Sequence, residues 1–564
     1  MYDKIIKLLL IFLIVFTPIA FGSMELWAFS VMELSILLII ILAAVQTFTL
    51  NVPKRSNLPD NPNGHTHLRI HALTVLLCLF LLLILFQIIS LPSGLIKIIS
   101  PKTYALRQSL SISNFEPSAL SFEPSTSTFP LSFFPFLTQI EFFKWLTLSG
   151  LFIFLLRWKP LEQGDRTKRQ LILVVMAVGV LESLYGIFEF FSGHHHILHL
   201  EAESLVSAVT GTFINRNYLA GYLLMVIPVS IGFLFSREGI QDNRYGSWRD
   251  RLSSLDGKTL LIGFSIIVMI LGLLFSASRM GIVSLLLSFS LISFLFRNPE
   301  KGKRFSKTAV LIFGLALLWA AWIGLDAVIS RFFSVAESFE GRWEIWVNTF
   351  QIFKDFPLFG SGLGTFIQVF PMYRSFHILG LVTHSENDFL QLLSDTGILG
   401  AGLLAALFFY LLFKAFSGIR ALSRREPARY IGLGGLVGIL ALMFHSLVER
   451  NIQVPANALL YTFIFALVLR ISLPEKGEIS AYKINQRNLR NERDQKQKDK
   501  PDQRCGPEKL DKLDKLEKPD YETDSLRRSG LLAGSTQISK YGVRGYKKRR
   551  TIAHGSKVAK SQCL

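Results

Sequence analysis

Long runs of apolar residues recur along the first 472 positions of the chain, and short polar segments separate them. Each run has roughly 17–23 residues, which is the length that an α-helix needs to cross a hydrocarbon core of about 30 Å. We therefore predict an all-α polytopic membrane protein with about twelve transmembrane helices. The predicted spans lie near residues 6–22, 29–49, 71–91, 140–156, 171–191, 218–236, 259–276, 281–296, 308–325, 398–414, 430–449 and 456–470.

The apolar pattern ends where a polar tail begins. Residues 473–564 are almost entirely polar and charged, with a basic cluster at 547–550. A segment of this composition cannot bury enough apolar surface to fold, so we expect a disordered cytoplasmic tail. The alternative for its basic cluster is contact with anionic lipid or with a partner. We divide the rest of the chain into N-terminal helices over 1–170 and a transmembrane core over 171–472.

The charge distribution predicts the orientation of the chain. The formal net charge is +19 and the mean hydropathy is +0.41. Lysines and arginines lie in alternate loops and in the tail, which is typical of charges that set membrane topology and argues against a nucleic-acid partner. We therefore expect both termini in the cytoplasm. The two long loops, at about 92–139 and 326–397, then lie on the outer face.

Three arginines depart from this charge pattern, because they lie at the outer boundary, where basic residues are scarce. Arg216 precedes the sixth run, Arg279 lies in the turn between the seventh and eighth runs, and Arg342 opens an amphipathic aromatic helix in the 326–397 loop. Guanidinium groups bind phosphate in bidentate fashion and stay charged when partly dehydrated. We expect them to form one anion site. The alternative is that each reaches a lipid phosphate or caps a helix.

A second candidate site is the segment 383–388, Thr-His-Ser-Glu-Asn-Asp, just before the tenth run. It places His384 and two carboxylates within a few residues, and such groups can take a proton from a hydroxyl. The histidines at 194–196 look like metal ligands, but consecutive histidines rarely converge on one ion. The chain has three cysteines and no CxxC pair. We therefore predict no metal site and no disulfide framework.

Four motifs follow one another along the chain. They are Gly211–Ala220, Ser276–Gly281, Arg342-Trp343 with Asp355–Gly364, and His384–Leu392 with Gly397–Gly400. Together they resemble the O-antigen ligase/O-antigen polymerase family of bacterial envelope proteins. The likeness spans about 179–466 and is densest over 263–404. Many relatives carry a histidine immediately before the asparagine of the last motif, whereas this chain has Glu386 there and its histidine is His384.

The resemblance implies an inverting, metal-independent glycosyltransferase of the bacterial inner membrane that needs no cofactor. Such an enzyme takes a glycan from an undecaprenyl-pyrophosphate carrier on the periplasmic face. It passes the glycan to a hydroxyl on lipid A-core, on another lipid-linked glycan or on a protein. Arg216, Arg279 and Arg342 would hold the leaving pyrophosphate. Either His384 or Glu386 would activate the acceptor.

Two other function classes stay open at this stage. A transporter or flippase of lipid-linked glycans predicts charged or broken helices near the bilayer midplane. Glu182 and Glu189, in the fifth run, are the nearest candidates for such groups. A non-catalytic assembly scaffold would depend on the tail alone.

Overall fold

The computed structural model describes the chain in segments. These are residues 1–50, 65–112, 128–163, 165–193, 196–201, 208–238, 256–296, 314, 318, 335–376, 380–423 and 426–472. The predicted ninth span at 308–325 and the tail at 473–564 lie outside the described residues, apart from positions 314 and 318.

The described chain is mostly helical, as the apolar runs predict. Its first half holds α1 (Tyr2–Ile19), α2 (Leu26–Leu50), α3 (His65–Ile88), β1 (Ser90–Pro92), α4 (Ser93–Ile99), α5 (Pro101–Ile112), β2 (Thr128–Pro130), α6 (Pro135–Arg157), α7 (Lys159–Gln163), α8 (Asp165–Ser192), β3 (His196–Ile197) and β4 (Leu200–Glu201). Its second half holds α9 (Arg216–Glu238), α10 (Gly257–Phe275), α11 (Arg279–Leu295), α12 (Val335–Asp355), α13 (Phe366–Val369), α14 (Asp388–Ala421), α15 (Pro427–His445) and α16 (Pro455–Ser472). Two small antiparallel ribbons, β1 with β2 and β3 with β4, are additions to the predicted all-α fold.

Eight helices of the described chain are long and apolar enough to cross a membrane, namely α2, α6, α8, α9, α10, α14, α15 and α16. Two shorter apolar helices, Ala72–Ile88 and Arg279–Leu295, coincide with further predicted spans. Helix α1 also coincides with one, and carries Asp3, Lys4 and Lys7 in its first two turns. The multi-pass membrane class is thus supported, whereas the count of about twelve spans stays a prediction.

Helix α9 is the centre of the bundle, since its apolar stretch is buried at every position. It packs closely against α15 because glycines face it. A Cβ on Gly434 would lie 2.3 Å from the carbonyl oxygen of Pro228, and one on Gly438 would lie 2.8 Å from that of Met225. Small residues that let two backbones approach are a common basis of helix association in lipid, where no hydrophobic drive exists between helices.

Two helices begin earlier than the sequence indicates. Helix α12 begins at Val335, so Arg342 lies inside the amphipathic helix and does not open it. Its Trp343, Val347 and Phe350 are exposed, as expected for aromatic anchors at a membrane interface. Helix α14 begins at Asp388, ahead of the predicted span at 398–414.

Helix α14 is broken at Gly397, where φ is 64° and ψ is −171°. The break leaves carbonyl groups of the preceding turn without partners inside the helix. The glycine-rich segment after α12 supplies donors to them, because Ser361 N donates to Ser394 O at 3.0 Å and Gly362 N donates to Asp395 O at 3.1 Å. This accounts for the glycine string of the third motif as a close backbone contact with α14.

We predict that Gly397→Ala lowers the melting temperature of the purified protein. Its backbone conformation is accessible essentially to glycine alone and costs another residue about 1–3 kcal/mol. A Cβ there would also lie 2.3 Å from the carbonyl carbon of Leu358. Gly402→Ala is the matched control, because a Cβ on that glycine of α14 meets nothing within 4 Å. Equal melting temperatures for the two variants would contradict this account of the break.

Candidate functional site

The segment 383–388 is anchored at both ends. Asn387 caps α14, since its Oδ1 accepts hydrogen bonds from Phe389 N at 3.1 Å and Leu390 N at 3.0 Å. Upstream, Trp346 Nε1 of α12 donates to Ser385 O at 3.0 Å. Between these anchors Glu386 has a positive φ of 52°. A left-handed backbone at a non-glycine residue is strained, and such strain is frequent at functional sites.

Glu449 links three elements at this end of the bundle. Its Oε1 forms an ion pair with Arg342 Nη2 at 2.6 Å, and its Oε2 accepts from Asn217 Nδ2 at 2.7 Å. Arg342 Nη1 also donates to Val448 O at 3.2 Å. Burial raises the pKa of Glu449 to about 7, because Arg342 only partly offsets desolvation and Glu386 adds a second negative charge.

Arg450 is a buried cation, with 5% of its surface exposed. Its guanidinium contacts the ring of His384 and lies 5.4 Å from the ring centroid of Tyr218. A guanidinium carries only donors, so His384 must present a lone pair to it and remain neutral. Burial, with Arg450 as the next cause, lowers the pKa of His384 to about 2.

Glu386 lies in the field of both guanidinium groups. Burial raises the pKa of its carboxyl, while Arg342 and Arg450 oppose that rise. The structure thus brings Arg342, His384 and Glu386 of the predicted site together, around a carboxylate and an arginine that the sequence interpretation left out.

Asp388 ties α14 to the segment 446–452 that carries Glu449 and Arg450. Its Oδ2 accepts from the backbone N–H groups of Asn451 at 2.8 Å and Ile452 at 2.9 Å. Its own N–H donates to Ser446 O at 3.1 Å. These bonds fix the loop between α15 and α16 against the start of α14.

Arg216 and Arg279 are connected to this network through their neighbours. Asn217, next to Arg216, donates to Glu449. Ser278, next to Arg279, caps α11 and lies 3.4 Å from Nε2 of the buried His445, whose Nδ1 is 3.1 Å from Asn451 Nδ2. That Arg216, Arg279 and Arg342 bind one anion stays a prediction.

The sequence interpretation missed Glu449 and Arg450 as site residues. A signal for Arg450 was present, because it is the single basic residue of a short loop that the charge pattern assigns to the outer face, the same anomaly that identified the other arginines. Glu449 gave no such signal. Its role follows from contacts with residues more than 100 positions away in the chain, and no local pattern encodes these.

A mostly apolar cavity of about 680 Å³ adjoins the site. His384, Asp388 and the Glu141–Lys144 ion pair, whose charged atoms lie 2.5 Å apart, contribute its polar wall. Most of the remaining wall comes from α6, α14 and α16 and includes Leu148, Phe152, Leu404, Phe408, Tyr461 and Phe465. The cavity therefore joins charged groups to a surface suited to a hydrocarbon chain.

Comparison with known proteins identifies part of the chain. Residues 264–405 match the family model described as O-antigen ligase. This segment is therefore similar to the O-antigen ligase family. The match confirms the resemblance predicted from the four motifs. No curated protein matches the chain.

The O-antigen ligase segment holds most of the predicted site, namely Arg279, Arg342, His384 and Glu386. Arg216, Glu449 and Arg450 lie outside it, in helices and loops that pack on it. Within the described part of the chain, no group of three His, Cys, Asp or Glu side chains is placed to hold a metal ion. His194 and His195 lie outside the described residues.

We predict that Asp388→Ala loosens the loop between α15 and α16. It removes the acceptor of two buried N–H groups, each costing about 1–3 kcal/mol when left unpaired. Hydrogen exchange of the Asn451 and Ile452 amides should become faster and the melting temperature should fall. The exposed Glu344→Ala is the control. Unchanged exchange at these amides in Asp388→Ala would show that the carboxylate does not hold the loop.

Proposed function

We propose that the protein is an inner-membrane glycosyltransferase of the O-antigen ligase or polymerase type. It moves a glycan from an undecaprenyl-pyrophosphate carrier to a hydroxyl acceptor on lipid A-core, on a lipid-linked glycan or on a protein. The observation that carries the proposal is the convergence of Arg342 and Arg450 on Glu386, beside an apolar cavity and partly within a segment of the O-antigen ligase family.

The arginines suit a pyrophosphate leaving group. As the bond between the anomeric carbon and the phosphate oxygen breaks, the electron pair leaves with the pyrophosphate and its negative charge grows. Guanidinium donors fixed in advance stabilise that charge without reorganisation. Helices α9, α11 and α14 begin at Arg216, Arg279 and Asp388, in or next to this network. Their N-termini add positive potential. This site would need no metal ion.

Glu386 is the better candidate for the base. The acceptor hydroxyl must lose its proton as its oxygen bonds to the anomeric carbon, and in-line attack inverts that centre. A carboxylate with a raised pKa accepts a proton more readily than an ordinary one. His384 is a poor proton acceptor, since burial and Arg450 hold its pKa at about 2. We therefore assign the proton transfer to Glu386.

The membrane arrangement follows from the same proposal. The cavity wall of α6, α14 and α16 would receive hydrocarbon from a lipid-linked substrate. The network would lie at the periplasmic face, with both termini in the cytoplasm, as the loop charges indicate.

The flippase alternative loses one of its candidates. Glu182 is fully engaged, since its Oε2 accepts from Thr212 N at 2.8 Å and its Oε1 bonds to Thr212 Oγ1 at 2.8 Å. It thereby holds the turn before α9, a structural task. Glu189 remains as the group on which that reading depends.

We predict that Arg342→Ala and Arg450→Ala each lower the transfer rate about 100-fold or more, the usual loss when one preorganised donor is removed. The assay is transfer of a glycan from polyprenyl pyrophosphate to an acceptor by the purified protein in vesicles. Arg374→Ala, an exposed arginine after α13, is the control. Wild-type rates in both variants would refute the transferase proposal. Donor stranded on the cytoplasmic leaflet of cells lacking the protein would favour a flippase.

We predict that Glu386→Gln lowers the rate by about 10²–10⁴-fold, the usual contribution of a general base. His384→Gln should keep the rate within about tenfold, because a histidine held neutral contributes little to proton transfer. Because Glu386 acts as the carboxylate and its pKa is raised, activity should fall as the pH drops through that pKa. A loss of transfer in His384→Gln with an active Glu386→Gln would reverse the assignment.

A further inference from the structure

We infer that Glu449 is an exchangeable counter-ion of the anion site: it neutralises Arg342 when no donor is bound, yields Arg342 to the donor's pyrophosphate, and takes up one proton as it does so. The inference rests on the proposed function and adds a regulation of the same site by pH. Glu449 lies outside the O-antigen ligase segment.

Glu449 occupies a hydrogen-bond donor of Arg342 that a phosphate group would need. Arginine recognises phosphate with two parallel N–H groups. Here Nη2 of Arg342 pairs with Glu449 at 2.6 Å and Nη1 donates to Val448 O at 3.2 Å. One N–H of each terminal nitrogen is therefore engaged by the segment 448–449. A pyrophosphate that binds Arg342 through these same two N–H groups has to displace the Glu449 carboxylate.

The charges explain why the exchange includes a proton. The charged and polar groups around the Glu449 carboxyl are Arg342 on α12, Asn217 and Tyr218 on α9, Glu386 and Asp388 at the start of α14, and its chain neighbour Arg450. Glu449 has 3% of its surface exposed. A pyrophosphate beside two ionised carboxylates would be repelled strongly in such a poorly hydrated place.

Glu449 is the carboxyl that can take up the proton at least cost. Glu386 is more exposed than Glu449 and is in the field of two guanidinium groups, so its charge is better compensated. Burial already holds the pKa of Glu449 at about 7, so its protonation near neutral pH costs little. The neutral form of Glu449 competes weakly for Arg342. This form prevails when the pH is below the pKa of Glu449 and is lost as the pH rises through that pKa. Donor affinity should therefore fall as the pH rises.

A purely structural role for Glu449 makes the opposite prediction. If the carboxylate only braced α12 against α9, removing its charge would loosen Arg342 and weaken anion binding at every pH. If it is a counter-ion, removing its charge frees Arg342, and binding becomes tighter at high pH.

The test is calorimetric binding of inorganic pyrophosphate to the full chain in nanodiscs at pH 6 and pH 8. With the pKa of Glu449 at about 7, the fraction of wild-type protein in which Glu449 is protonated falls from about 0.9 at pH 6 to about 0.1 at pH 8. The affinity of wild type for pyrophosphate should therefore fall about tenfold more over this range than the affinity of Glu449→Gln. At pH 8 Glu449→Gln should bind about tenfold more tightly than wild type. Pyrophosphate's own titration is common to both proteins and cancels. Glu344→Gln, an exposed glutamate on α12, should behave as wild type.

Proton uptake gives a second measurement that uses the wild-type protein alone. Binding enthalpies measured in buffers of different ionisation enthalpy give the number of protons taken up per pyrophosphate bound. After subtraction of the uptake expected of pyrophosphate itself, this number should rise by about 0.8 between pH 6 and pH 8. This measurement stands even where Glu449→Gln fails to fold.

The outcomes separate the two proposals. If wild type binds pyrophosphate and Arg342→Ala does not, but Glu449→Gln binds more weakly or keeps the wild-type pH dependence, the counter-ion is overturned and the anion site stands. If wild type does not bind pyrophosphate, both proposals fail.

Discussion

The ion pair between Arg342 and Glu449 is the interaction on which this end of the bundle depends. The charge of Glu449 alone, buried at this depth, would cost several kcal/mol, and the half-buried Arg342 together with Asn217 compensates it. The pair connects α12, the loop after α15, and α9, which are distant in sequence. Buried ion pairs contribute little net stability but fix geometry, because no other arrangement satisfies the same groups. Together with the hydrogen bonds of Asp388 and Asn387, this pair gives the site a defined shape.

Backbone contacts make that shape rigid. Helix α14 is held at its start by Asp388, which binds two amides of the loop after α15, and one turn from its break by the glycine segment that donates to Ser394 and Asp395. The glycines of α15 bring it against the fully buried α9. These contacts use backbone groups, the absence of a side chain or the short, buried carboxylate of Asp388, so none depends on a long flexible side chain. The guanidinium groups are consequently presented from a fixed scaffold, as preorganised charge stabilisation requires.

Much of this fold follows from local pattern, whereas the site follows only in part. Apolar runs fix where helices form because crossing lipid demands about 20 apolar residues, and the predicted spans agree with helices wherever the chain is described. The sequence pattern predicts the starts of α12 and α14 too late along the chain. Polar residues such as Arg342 and Asp388 can lie inside a helix when tertiary partners pair them, and the local pattern does not indicate those partners. Glu449 could not be assigned from sequence, because its partner Arg342 is brought to it only by the packing of distant helices. Arg450 carried the same charge anomaly as the other arginines, but its contact with His384 needs that packing too.

The identity of the base is connected to the arginines around it. A histidine between Arg342 and Arg450 would be held neutral and poorly basic, as His384 is beside Arg450. A carboxylate in the same place has its charge compensated by both guanidinium groups, so Glu386 can be ionised there despite its burial. Under the proposed function, the pyrophosphate draws those guanidinium groups to itself. The compensation of Glu386 then weakens, and its affinity for a proton rises. Coulomb's law thus makes the base stronger once the donor is bound, which favours proton transfer from an acceptor that arrives second.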